Sequence, residues 1–161
     1  MGLCAQISLP AFFSDHMVLQ QQQEILLFGK ATPSEQVVGS FKGEVRKTNA
    51  NPDGSWRLVF SPSKAGGPYK LKLSGNNTIE FNNIFVGEVW FCSGQSNMEW
   101  PLYKSENGIE EIKKSFQDKI KLFNVRRSMS GTPTKELDVI NKWTPCTCLL
   151  YTSDAADDIG R

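Results

Sequence analysis

The sequence predicts a β-rich, β-sandwich-like domain followed by the start of a truncated α/β domain. Three observations carry that expectation. Over residues 7–85, short apolar segments, several of them alternating, recur between turns built from Gly, Pro and Asn, as in packed antiparallel sheets. At Val86 the pattern changes to an apolar run through Cys92, as expected of a strand buried on both faces. A helical spacing and another strand-like segment follow, and strand, helix and strand in series is the unit from which parallel sheets are built.

The elements follow in order. Glu24–Lys30 is apolar and closes on Gly29, and Gln36–Lys47 carries Val37, Val38, Phe41 and Val45. Asn51-Pro52-Asp53-Gly54 is a strong turn signal, because Pro presets φ and Gly accepts positive φ. Ser55–Phe60 places Trp56, Leu58 and Phe60 on one face. Gly66-Gly67-Pro68 reads as a turn, and Tyr69, Leu71 and Leu73 then alternate with Lys70 and Lys72. Asn76-Asn77 turns the chain again, and Thr78–Ile84 alternates through Ile79 and Phe81. Beyond Cys92, Asn107-Gly108 opens a helix whose apolar face is Ile109, Ile112, Phe116 and Ile120, and Ile120, Leu122 and Val125 read as a strand. About 60 residues of α/β pattern (86–146) are too few to cover both faces of a parallel sheet, so that domain is expected to be incomplete.

Composition excludes several classes. Hydrophobic residues are 39% of the 161, enough for a packed core, and the formal net charge is +1, which gives no electrostatic footprint for nucleic acid or an anionic membrane. No apolar run approaches a membrane span. Four Cys are too sparse for a disulfide scaffold, and a single His argues against His-based metal sites, so neither a metal nor another cofactor is expected. Residues 1–6 read either as an ordinary frayed terminus or as the end of a clipped signal peptide, with Ala5 before the cleavage point. Residues 147–161 show neither strand alternation nor a helical face, and are expected to be a tail foreign to the fold that packs on nothing.

Ser96 is the candidate for chemistry. It follows the apolar run and stands beside Gly94, where a tight turn into a helix would present it at the carboxyl end of a strand, with helix-opening N–H groups to stabilise an oxyanion. The pattern is not the G-x-S-x-G elbow, because Met98 stands at the second Gly. Ser96-x-x-Glu99 is equally a capping box, which needs no catalysis.

The run Gly87-Glu88-Val89-Trp90-Phe91-Cys92-Ser93-Gly94-Gln95-Ser96-Asn97-Met98-Glu99-Trp100-Pro101 closely resembles the first catalytic block of the sialate O-acetylesterases, SGNH-type carbohydrate esterases. Leu9-Pro10 and Phe13-Ser14-Asp15-His16-Met17-Val18-Leu19-Gln20 are similar to the same family's N-terminal signature, and the resemblance runs from about Leu9 to Cys146. It implies a β-sandwich-like domain with an SGNH, flavodoxin-like α/β esterase domain, an exported location, an O-acetylated sugar as substrate and no cofactor. It implies Ser96 as nucleophile and oxyanion N–H donor, with Gly94, Gln95 and Asn97 as its motif neighbours; Trp100, beside the serine, is the tryptophan expected near a substrate. The family's catalytic His and its acidic partner belong to a later block, and no His follows Ser96 here. His16, the only one, belongs to the N-terminal signature and is expected to be structural. The chain therefore reads as an N-terminal portion of an esterase, inactive alone.

Cys92 is expected to be buried, and Cys146-x-Cys148 lacks partners at zinc spacing. If the protein is exported, Cys92 and Cys146 are a candidate pair whose connectivity sequence does not decide. Trp56 and Trp90 are expected in the core. The alternative from a different class is a carbohydrate-binding or interaction module in which Ser96 only caps a helix.

Overall fold

The computed structural model describes residues 6–94, 100–114, 117–126 and 139–146. The strands are β1 (Val18–Gln20), β2 (Ile25–Lys30), β3 (Gln36–Phe41), β4 (Glu44–Asn49), β5 (Ser55–Phe60), β6 (Gly66–Ser74), β7 (Thr78–Gly87), β8 (Gln117–Val125) and β9 (Val139–Cys146). A 3-10 turn at Leu102–Lys104 and helix α1 (Gly108–Lys114) lie between β7 and β8. Packing divides the chain into two units, Met1–Val89 with Phe123–Trp143, and Trp90–Leu122 with Thr144–Arg161.

The first unit is strand-rich. A five-stranded sheet runs β1-β7-β6-β3-β4, and β2 pairs antiparallel with β5 in a second sheet. Period-2 alternation aims Trp56, Leu58 and Phe60 of β5, with Ile25 and Leu27 of β2, into the same buried cluster as Val37 and Phe41 of β3, Leu71 and Leu73 of β6, and Ile84 and Val86 of β7. The close approach of β3 to β5 requires Gly39, where a Cβ would collide with Leu58 Cδ2. Burying a core side chain of this kind stabilises by roughly 1.5–3 kcal/mol.

Two departures from simple alternation shape β7. Leu71 pairs with Phe81 and Tyr69 with Ile84, so β7 holds one extra residue there, beside Asn83 at φ 56°. This bulge moves the inward set from Ile79 and Phe81 to Ile84 and Val86. Between Tyr69 and Gly66 the extra residue falls on β6, with Gly67 at φ 138°, so Gly66-Gly67-Pro68, expected as a turn, is instead a distortion inside a strand. Gln36–Lys47, read above as one segment, is the β3–β4 hairpin, turning at Lys42 and Gly43 with φ 52° and 82°.

The expected strand Val86–Cys92 does not form. Val86 and Gly87 close β7, pairing with Leu19 and Gln20, and the residues after Gly87 leave the sheet. Trp90 and Phe91 are 84% and 91% exposed and Cys92 is exposed, which corrects the buried placement of Trp90 and Cys92. The physical reason is that β7 has no partner strand past Gly87, since β1 ends at Gln20 and β6 begins at Gly66. Trp56 is buried as expected, at 1%.

In the second unit α1 starts at Gly108 as the Asn107-Gly108 signal predicts; of the expected helical face Ile112 is buried, Ile109 is exposed, and Phe116 lies outside the described residues. Ile120 belongs to β8, whose sheet neighbour is β9, so no strand at 86–92 joins it in a β-α-β unit. Residues 147–161, with the expectation that they pack on nothing, lie outside the described residues.

Candidate functional site

The N-terminal signature wraps the bulged strand. Phe85 N–H donates to Met17 O at 3.0 Å and His16 N–H to Asn82 O at 3.1 Å, while Asn82 N–H donates to Asp15 Oδ1 at 2.7 Å. The two Asn82 bonds satisfy backbone groups at the bulge, and the Phe85 bond opens the pairing of β7 with β1. His16 is half-buried with φ 66°, a left-handed turn position, so the chain's single histidine sits in a structural station before β1.

β1 runs parallel to the end of β7, with Val18 opposite Phe85 and Gln20 opposite Gly87. Past that pair Gln20 Nε2 donates to Glu88 Oε2 at 3.1 Å, Gln21 Nε2 donates to Glu88 Oε1 at 2.5 Å, and Val89 N–H donates to Gln20 Oε1 at 2.9 Å. The Gln21 amide, then that of Gln20, holds the Glu88 carboxyl below the usual carboxylate range, against a smaller opposing effect of desolvation. No local pattern in the sequence signals these bonds, which join residues 68 and 67 positions apart.

Of the residues expected to act, Gly94 is exposed in irregular backbone and Trp100 is 62% exposed. Gln95, Ser96 and Asn97 lie outside the described residues, as do Met98 and the capping partner Glu99. Cys146 is buried in β9, while Cys148 lies outside the described residues. Trp143 of β9 donates from Nε1 to Phe12 O at 2.7 Å and stacks near Phe123, with ring centroids 5.3 Å apart.

Among the described residues no three His, Cys, Asp or Glu side chains group to hold a metal. A surface groove lies beside Glu35, whose carboxylate accepts Thr32 N–H at 2.9 Å and Asn76 N–H at 2.6 Å. Desolvation raises that carboxyl, and the hydrogen bonds from Asn76 and Thr32 outweigh it, leaving the pKa lowered. These bonds pin two turns.

No family model matches the chain. Mouse sialate O-acetylesterase is 25% identical over 151 residues, 85% of this chain and 28% of that protein. Human sialate O-acetylesterase is 28% identical over 115 residues, 63% of this chain and 22% of that protein. The chain resembles these proteins, and the matches support a sialate O-acetylesterase-like family. It thus spans about a quarter of the length of the curated relatives it matches. The crystal structure of XAC1771, a carbohydrate acetylesterase from Xanthomonas citri, superposes with a TM-score of 0.86 at 28% identity, covering 95% of this chain and 35% of that one. In this chain Gln20, Gln21 and Glu88 join the end of the N-terminal stretch to the residues that lead toward Gly94.

Proposed function

We propose that the chain carries the nucleophile portion of an exported carbohydrate O-acetylesterase, with Ser96 as the attacking group. The observation that carries this reading is the structural match to the Xanthomonas citri carbohydrate acetylesterase over 95% of the chain, together with the sequence match to sialate O-acetylesterases. Residues 86–146 are then the opening part of an SGNH-type esterase domain.

Ser96 Oγ attacks the acetyl carbonyl of an O-acetylated sugar as a histidine accepts its proton. The tetrahedral oxyanion is met by the Ser96 N–H and further donors. Collapse expels the sugar oxygen, which takes the proton back from the histidine, and leaves acetyl-Ser96. Water then attacks, the histidine acts again as base, and acetate leaves Ser96 with its hydroxyl restored. No histidine follows Ser96 in this sequence, and His16 sits in the structural turn before β1. The 161-residue polypeptide alone is therefore expected to hydrolyse p-nitrophenyl acetate only at background rate.

The test is a chimaera in which residues 7–146 replace the matching part of the Xanthomonas citri enzyme. We expect acetate release from an O-acetylated sugar, falling at least about a thousandfold in Ser96→Ala. A folded chimaera whose hydrolysis survives Ser96→Ala removes the serine mechanism. A folded chimaera that binds the sugar without hydrolysing it supports the binding-module reading, which the self-contained core of the first unit favours.

A further inference from the structure

The serine block is entered through an exposed, irregular stretch, Glu88–Gly94, yet its first two residues are tightly held. Both ends of each glutamine amide are used. Gln20 takes Val89 N–H on Oε1 and gives Nε2 to Glu88, while Gln21 takes Ala65 N–H on Oε1 at 3.2 Å and gives Nε2 to Glu88. The Gln21 N–H also donates to Gly87 O at 2.9 Å. Each Glu88 carboxylate oxygen thus has its own donor, and three consecutive residues, Gly87, Glu88 and Val89, are anchored from β1 and the residue after it.

The sandwich core does not need this clamp. Glu88 and Val89 are exposed, and the buried cluster, which runs from Ile7 to Val86 with Leu19 of β1 packed against it, includes none of Gln20, Gln21, Glu88 and Val89. What the clamp constrains is the direction in which the chain leaves β7. A nucleophile must be held to well within about 1 Å, because misplacement on that scale costs about a hundredfold in rate. A loop achieves this only when a rigid scaffold fixes its entry.

We infer that Gln20 and Gln21 are positioning residues for the serine block, acting through Glu88 and Val89, which they anchor where the chain leaves β7. This rests on the reading of Ser96 as nucleophile. It accounts for two recognisable motifs far apart in sequence, since the end of the N-terminal signature and the start of the serine block are the two halves of one clamp.

Amide hydrogen exchange by NMR on the whole 161-residue chain tests it. In Gln20→Ala the Val89 N–H loses its acceptor, and its exchange is expected to quicken about tenfold, while Leu27 and Leu58 amides in the core strands stay within about twofold. In Gln21→Ala, which leaves that acceptor in place, the Glu88 carboxyl is expected to titrate closer to the ordinary glutamate value. Unchanged Val89 exchange in Gln20→Ala overturns the proposal. So does an equal rise at Leu27 and Leu58, which would make the glutamines general supports of the sandwich. Exchange does not pass through the chemistry of Ser96, so hydrolysis surviving Ser96→Ala in the chimaera would remove the serine mechanism and leave the exchange result standing.

Discussion

Asp53 shows how a single side chain secures a turn. Its Oδ1 accepts the Ser55 hydroxyl at 2.6 Å and the Ser55 N–H at 2.9 Å, with Lys30 alongside, and these hold its carboxyl down to about 2. Because the folded pKa lies below the unfolded one, the carboxylate favours the folded state at pH above the ordinary aspartate value of about 3.9, and that contribution fades as pH falls through about 2. In Ser55→Ala the Asp53 carboxyl is expected to titrate well above its wild-type value, measured by carboxyl-carbon NMR, and an unmoved titration would show that Ser55 is not the cause. This turn was legible in sequence, since Asn51-Pro52-Asp53-Gly54 names its own geometry and Gly54 takes φ 78°. Trp90 and Cys92 were not, because an apolar run has no period to show which of its residues meet a partner.

At the scale of elements, alternation was informative wherever one face of a strand is buried: β5 follows it residue for residue, and β6 does so from Tyr69 onward. It failed at β7, where the bulge near Asn83 flips the inward face midway, and nothing in Asn82-Asn83 tells a bulge from a turn. β9 adds a tie that sequence could not reveal, joining Trp143 to the Phe12 carbonyl 131 residues away. Trp143→Phe keeps most of the ring that meets Phe123 but removes the donor, leaving the Phe12 carbonyl without this bond. We expect a loss of about 1–2 kcal/mol in denaturant unfolding, as for a hydrogen bond removed from a partly buried site. A loss below a few tenths of a kcal/mol would mean that water replaces the indole N–H freely.

For the whole molecule, the two units differ in how their aromatic residues are kept from water. Trp56 and Phe60 are 1% exposed inside the sandwich, whereas Trp90 and Phe91 stand almost fully exposed in backbone that has left every strand. A protease needs an extended, accessible segment, so cleavage reports local opening rather than composition. Chymotrypsin under native conditions is therefore expected to cut first after Trp90 or Phe91, and to spare Trp56, Phe60 and the aromatic residues of β6 and β7. The N-terminal product holds β1–β7 and the complete buried cluster formed by both sheets, so it should keep its strand circular-dichroism signal. It lacks Trp143, so it should also unfold at a lower temperature than the intact chain. Mass spectrometry of the earliest product decides between outcomes. First cuts inside Ile25–Gly87, or a released product with no strand signal, would mean that the sandwich is not the stable core that its packing indicates.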